Sequence, residues 1–224
     1  MQKLESLKKL FKNQDLFDQA LTHKSWVNEN PGKRGSNERM EFLGDAVLEL
    51  VVTDYLYKKF PLQPEGYLTA LRANIVNTVN LATVAKKIDL GAKIFLSKGE
   101  TLTNGIKNNS LLADTVEAVI GAIYLDQGMK AARKFIEENL LIDVDEKVKE
   151  PLKDAKSRLQ ETVQSKGFTA PKYKVTKMIG PDHEREFEVE VWFNGKAMGS
   201  GLGKSKAQAE QKAATVALER LEKI

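Results

Sequence analysis

The chain has 224 residues, 42% hydrophobic and 29% charged, with two histidines and no cysteine; that is enough for one large or two ordinary globular domains and excludes disulfides, thiolate metal sites and a cysteine nucleophile. Its net charge of +4 is uneven: residues 1–151 hold 21 Lys and Arg against 21 Asp and Glu, and residues 152–224 hold 14 against 10, which suggests two domains of different task, the second directed at a polyanion, with ordinary surface variation as the plainer reading of the charge alone. No apolar run approaches the ~18 residues of a bilayer span and the start MQKLESLKKLF lacks a signal-peptide core, so a cytoplasmic protein with no membrane partner and no organic cofactor is expected.

The first part reads as helical almost throughout. Residues 38–60 form one long helical run, apolar on most of its circumference from Phe42 to Leu56, and burial is expected. Residues 68–90 carry spaced Leu, Ile, Val and Ala and predict one or two further helices. The strongly apolar run at 110–125 is helix rather than strand by its length and alanine content. Residues 143–153, with Pro151, alternate charge with single apolar residues and read as a domain connection.

Beyond that point the pattern changes. Residues 153–166 are helical and stop at Gly167, and 173–179 alternate as a strand, followed by a turn at 180–182. Residues 186–194 alternate strictly, with Phe187, Val189, Val191 and Phe193 on one face and Glu186, Glu188, Glu190 and Trp192 on the other. Asn194-Gly195 predicts a tight hairpin into a short strand. A last helix spans 205–221, with Ala209, Ala213, Val216, Ala217 and Leu221 on the side that lies against the sheet. The order α-β-β-β-α is a small α+β domain of a size that folds alone. The expected boundaries are 1–146 for the helical domain, 147–152 for the linker and 153–223 for the second domain.

Acids inside the apolar helical runs carry the chemistry. Glu38, Glu41 and Asp45 are spaced i, i+3, i+7 in NERMEFLGDAVLEL (37–50) and share one helical face. Asp114 and Glu117 lie one turn apart in LLADTVEAVIGAIYLD (111–126), and few basic residues occur in either stretch. An ionised carboxylate in such surroundings is unfavourable unless paired or metal-bound. Two helices that each offer carboxylates one turn apart can assemble an all-oxygen cage for Mg²⁺ or Mn²⁺, the usual equipment of phosphodiester hydrolysis. Singly, these acids have plainer readings: Glu38 can cap its helix, and others can pair with Arg39 or Arg72.

In the second domain, Ser157, Gln160, Glu161 and Gln164 form a polar stripe at i, i+3, i+4, i+7, suited to 2′-hydroxyls and base edges in the shallow RNA minor groove. The turn before the second strand can set His183 in a neighbouring groove, and Lys204 and Lys206 flank the start of the last helix, where its dipole also favours phosphate. Taken singly these are a solvated helix face, a turn and surface lysines. A sheet-face RNA reader would display aromatics there; Glu186, Glu188 and Glu190 with only Trp192 among them direct RNA to the helices and the loop instead.

NERMEFLGDAV resembles the signature of the bacterial ribonuclease III family, and LLADTVEAVIGAIYLD is similar to its second acidic motif. ALTHKSW at 20–26, Pro64-Glu65-Gly66 and LGAKIFLSKGE at 90–100 extend the resemblance, and GLGKSKAQAEQKAA at 201–214 resembles the family's double-stranded-RNA-binding domain. Nearly the whole chain is covered. The resemblance implies two domains, an all-α endonuclease domain and the small α+β domain. It implies a Mg²⁺-dependent endoribonuclease, with Mn²⁺ able to substitute, that acts as a homodimer on double-stranded RNA. Its products carry 5′-phosphates, 3′-hydroxyls and short 3′ overhangs, in the processing of ribosomal RNA precursors and messenger RNA.

Residue by residue, the resemblance implies that Glu41, Asp45, Asp114 and Glu117 are the catalytic metal ligands, Glu117 being the one whose loss hurts turnover most. Glu38 and Glu65 match accessory acids of the cleft, and Phe42 matches a residue that inserts into a socket on the partner subunit, against which stands ordinary core packing. His23 reads as structural. The chain departs from the family at 103–109, where Lys107 is alone in a segment often richer in basic residues, and at Ala207. The alternative function is a non-catalytic double-stranded-RNA-binding protein, against which the retention of all four acids speaks; a purely structural helical dimer is a third reading.

Overall fold

The computed structural model describes residues 7–103, 105–148, 154–181 and 185–221 and divides into two units, Met1–Glu150 and Pro151–Ile224. The first unit is helical, with α1 (Gln14–Ala20), α2 (Lys24–Glu29), α3 (Glu38–Lys59), α4 (Glu65–Ile75), α5 (Thr78–Lys87), α6 (Lys98–Leu102), α7 (Asn109–Gln127), α8 (Met129–Asn139) and α9 (Val144–Lys147). Single 3₁₀ turns occupy Gly91–Lys93 and Gly105–Lys107.

Helix α7 forms the centre of this unit because it is apolar around most of its circumference. Leu112, Val116, Ala118, Val119, Ile120 and Ile123 are buried, and the hydroxyl of buried Thr115 donates to the Leu111 carbonyl at 2.7 Å. Helix α3 crosses α7 where the two backbones touch. A Cβ on Gly44 would strike the Glu117 carbonyl oxygen and come within 2.9 Å of the Gly121 nitrogen, and a Cβ on Gly121 would strike the Met40 carbonyl oxygen. Glycine inside a helix is about 1 kcal/mol less favourable than alanine, so this pair is placed by the crossing. The crossing sets the acids of α3 opposite those of α7.

The entry into α3 is pinned by Asn37, which is 3% exposed. Its backbone N–H donates to the Thr22 carbonyl at 2.8 Å and its side-chain amide donates to the Ala20 carbonyl at 3.3 Å. The same short segment pairs with Phe95, whose N–H donates to the Leu21 carbonyl at 2.8 Å while its carbonyl accepts from His23 N–H at 3.1 Å. Residues 20–23 therefore join the start of α3 to the strand-like link before α6.

The 68–90 run resolves into two helices, α4 and α5, within the one or two expected, with the Asn77 side chain accepting from Asn80 N–H at 2.9 Å to cap the second. Two expectations are revised. The 143–153 connection is helical at its start, where Val144 is 1% exposed and packs into the first unit; 149–153 lie outside the described residues. Helix α3 is not buried all round: Phe42 is 81% exposed and Leu50 57%. The chain covers one face of this helix and leaves Phe42, Ala46 and Leu50, spaced by four, on the other.

In the second unit α10 (Ala155–Ser165) precedes β1 (Lys172–Ile179), β2 (Glu186–Phe193), β3 (Lys196–Gly203) and α11 (Lys206–Leu221). The sheet is antiparallel in the order β1-β2-β3. Asn194 and Gly195 turn the β2–β3 hairpin with φ of 50° and 72°, the positive values a two-residue turn of this type needs. Leu159 and Val163 of α10, Val191 and Phe193 of β2, and Ala213, Ala217 and Leu218 of α11 form the core.

The close approach of α11 needs both partners to be small. A Cβ on Gly203 would lie 2.6 Å from the Ala209 nitrogen, one on Gly201 2.5 Å from the Ala213 nitrogen, and one on Gly199 2.8 Å from the Ala217 nitrogen. Alternate strand residues repeat at ~6.7 Å and every fourth helix residue at ~6 Å, so glycines two apart meet alanines four apart. Among the described residues no helix is long and apolar enough to cross a membrane.

Candidate metal centre and RNA-binding surface

Glu41 of α3 and Asp114 and Glu117 of α7 each present a carboxylate oxygen within 4.8 Å of the other two. Glu41 and Glu117 are half-buried. Burial pushes the Glu117 carboxyl up to about 7, and the charges of Asp45, Asp114, Glu41 and Glu49 push it in the same direction. Burial also raises Glu41, with the charge of Asp114 adding to it, and raises Asp114 against the opposing pull of His23. Crowded, oxygen-only and reluctant to ionise together, these groups are a donor set that a hard divalent cation fits, since its charge reverses their mutual repulsion.

The other expected acids stand around this trio. Asp45, one turn along α3 from Glu41, is exposed and outside the group of three, though its charge reaches Glu117. Glu38 begins α3 and is held by Lys24 Nζ at 3.2 Å and by the Ser36 hydroxyl, which donates at 3.1 Å. Those bonds hold its carboxyl below the usual range. Glu65 begins α4, accepts from the Thr69 hydroxyl at 2.7 Å, and lines a cavity of about 460 Å³ with Leu56, Tyr57, Leu68 and Arg72. The exposure of Phe42 rules out core packing within one subunit for that side chain. His23 caps α2, its Nδ1 accepting from Ser25 N–H at 3.2 Å, the structural role read for it.

Two features of the site were not singled out from sequence. Glu49 continues the Glu41–Asp45 spacing by four, meets Arg72 Nε at 2.8 Å, and still adds its charge to the field at Glu117; the spacing was its signal. Gly44 and Gly121 set the distance between the acid-bearing helices, and glycine inside an apolar helical run was theirs. The 103–109 departure has a local use: Asn108 accepts from Ser110 N–H at 2.9 Å and caps α7, while Lys107 is exposed.

In the second unit, Asp154 caps α10, accepting from Ser157 N–H at 3.1 Å and from the Ser157 hydroxyl at 2.8 Å. Gln211 of α11 donates to the same carboxylate at 2.8 Å. Led by the Gln211 bond, these contacts hold Asp154 down to about 2. Gln160, Glu161 and Gln164 are exposed along α10, so of the expected stripe only Ser157 is drawn into the cap. Lys204 and Lys206 are exposed at the start of α11, the Lys206 ammonium 5.9 Å from the centre of the Phe187 ring. His183 lies outside the described residues. On the outer sheet face Glu188 pairs with Lys177 at 3.3 Å. There, too, Glu190 accepts from the Trp192 indole at 3.0 Å and Lys174 sits 5.0 Å from the Trp192 ring.

Comparison with known proteins bears on both units. The Ribonuclease-III-like family model matches residues 13–144, and the double-stranded RNA binding motif matches residues 155–221. Ribonuclease 3 of Geobacillus sp. (strain WCH70) is 47% identical over 215 residues, covering 96% of this chain and 87% of its own length. Ribonuclease 3 of Borreliella afzelii (strain PKo) is 45% identical over 224 residues, covering 99% of this chain and 91% of its own. Among solved structures, a nuclease domain of ribonuclease III from Campylobacter jejuni, described for structural flexibility in a region involved in dimer formation, superposes with a TM-score of 0.56 at 44% identity. It covers 62% of this chain and 98% of its own.

Proposed function

The chain belongs to the ribonuclease III family and is an endoribonuclease of double-stranded RNA, and we propose that Glu41, Asp45, Asp114 and Glu117 hold its catalytic cation. The observation that carries this reading is the meeting of Glu41, Asp114 and Glu117 within 4.8 Å at the glycine-mediated crossing of α3 and α7. When bound, the divalent ion, Mg²⁺ in this reading with Mn²⁺ as a substitute, would neutralise charge on the phosphate and lower the pKa of a water, so that hydroxide attacks the phosphorus as the bond to the 3′-oxygen breaks. Glu41, Asp114 and Glu117 hold the ion from inside the crossing. Asp45 contributes from the exposed rim, and Glu38 and Glu65 are accessory acids of the cleft. Glu117, held up to about 7, must lose its proton for the site to fill.

In this reading the products carry 5′-phosphate and 3′-hydroxyl ends with short 3′ overhangs, and the enzyme works in the cytoplasm on ribosomal RNA precursors and messenger RNA. The exposed side chains of Gln160, Glu161 and Gln164, with Ser157 and His183, read the minor groove, and Lys204 and Lys206 hold phosphates. Two chains form a homodimer through the uncovered face of α3. The 81% exposure of Phe42 favours this, and the cavity beside Leu56 and Tyr57 of the same helix is the socket assigned to the partner's copy of that ring.

The test is cleavage of a long, perfectly paired RNA with and without Mg²⁺, beside Glu117→Gln. The nuclease reading expects short duplexes with 5′-phosphates from the parent, and binding without cleavage from the variant. A parent that binds duplex RNA and cuts nothing in Mg²⁺ or Mn²⁺ would overturn the assigned site in favour of a non-catalytic RNA-binding protein.

A further inference from the structure

The ALTHKSW segment (20–26) carries no role in the reading above, yet it borders the acid site. Its backbone is tied down on two sides. The Thr22 carbonyl accepts from Asn37 N–H at 2.8 Å, immediately before α3, and the Ser25 hydroxyl oxygen accepts from Ser97 N–H at 3.1 Å, immediately before α6. Lys24 is thus placed by a rigid support, but its own side chain stays out of the packing. The ammonium rests 3.2 Å from Glu38 Oε1, with the two side chains 63% and 54% exposed. Its charge reaches both Glu41 and Asp114, where it opposes the burial that raises them.

We propose that Lys24 binds an RNA phosphate next to the scissile bond, leaving Glu38 to do so when substrate and cation fill the site. This rests on the nuclease reading of that site. A polyanion brought to a group of carboxylates needs a cation at the rim, and the 103–109 segment supplies Lys107 alone. The exchange is easy for three reasons. An exposed ion pair is weakly held. Glu38 keeps the Ser36 hydroxyl on Oε2 at 3.1 Å after the ammonium departs, and Oε1, on a side chain 54% exposed, is taken up by water. A divalent ion among the acids takes over the neutralisation that Lys24 supplies in its absence. The compact ammonium on a flexible stem suits a contact that is made and released.

The experiment measures duplex-RNA affinity against salt for the full chain carrying Glu117→Gln, which prevents cleavage, with and without Lys24→Gln or Lys24→Arg. Loss of one phosphate contact flattens the slope of log affinity against log salt by about one. The expected result is that flattening, with a several-fold weaker affinity, for Lys24→Gln, and the parent slope for Lys24→Arg. A parent that binds duplex RNA with a slope unmoved by Lys24→Gln overturns the phosphate contact and leaves the nuclease reading standing. The same unmoved slope with tighter Mn²⁺ binding would make Lys24 a counter-charge to the acids and nothing more. A parent with no affinity for duplex RNA overturns both readings.

Discussion

In the helical unit, three carboxylates within 4.8 Å of one another are raised by burial, Glu41 and Glu117 also by the charges of neighbouring acids, Glu117 to about 7. In the α+β unit, the acid beside the exposed polar stripe of α10 is Asp154, saturated with hydrogen bonds and held down to about 2, while Gln160, Gln164, Lys204 and Lys206 stand in solvent. The two tasks explain the difference. Acids crowded to receive a cation repel one another, and a divalent ion relieves that repulsion. A groove-reading surface keeps its supports satisfied, so that exposed donors and acceptors are free for the ligand. The units share one device. Each brings two elements into backbone contact through glycine, Gly44 and Gly121 in the first and Gly199, Gly201 and Gly203 in the second.

Breaking that device separately in each unit should separate the two tasks. Gly44→Val forces a side chain into the Glu117 backbone; a loss of about 4 kcal/mol or more is expected. Divalent binding and cleavage should vanish while the second unit keeps its melting transition and its duplex affinity, followed by calorimetry and RNA titration. Gly201→Val, which meets Ala213, should do the converse. About 3 kcal/mol is expected to be lost from the second unit and duplex affinity to drop more than tenfold, with divalent binding to the first unit intact. If either variant damages both activities equally, the tasks are not divided as described.

A smaller effect sharpens the electrostatic contrast. Glu117 binds its proton more tightly folded, at about 7, than at its ordinary 4.5. Without metal, the fold therefore has this group's full contribution below the ordinary value and loses it as pH rises through about 7. The half-exposure of Glu117 screens the effect to about 1–2 kcal/mol. Thermal melting of the metal-free chain should accordingly fall between about pH 5 and pH 8, and Glu117→Gln should remove most of that fall. Divalent affinity should rise over the same interval, because the ion needs the deprotonated acid. Flat melting in the parent would mean that Glu117 is not held as described. The smallest effect belongs to the exposed surface: Gln160→Ala should weaken duplex binding by about 1 kcal/mol without changing the salt slope, whereas Lys204→Ala should flatten that slope by about one. A salt titration separates the two roles.

Much of the second unit was legible because its signals are local. Strict alternation at 186–194 and the Asn194-Gly195 pair specify a strand, its inner face and its turn with no knowledge of partners, and β2 and the hairpin follow them. Where partners matter, local signals stop. Helix α3 is apolar around most of its circumference, so its periodicity could not say that Phe42 and Leu50 face solvent in a single chain. The bond between Gln211 and Asp154 joins residues 57 positions apart, and no spacing announces it.

The acidic motifs named carboxylates on two helices, because a 3.6-residue period places i, i+3 and i+7 on one face. Periodicity does not say how far apart two faces lie. That Glu41, Asp114 and Glu117 meet while Asp45 stays at the rim depends on the angle and depth at which α3 crosses α7. Local sequence carries the residue chemistry, most helices and strands, and the division between a charge-neutral helical part and a basic α+β part. The tertiary structure alone decided which acids converge, which apolar face is left uncovered and where Lys24 rests, because those follow from contacts between side chains and backbones remote in the chain.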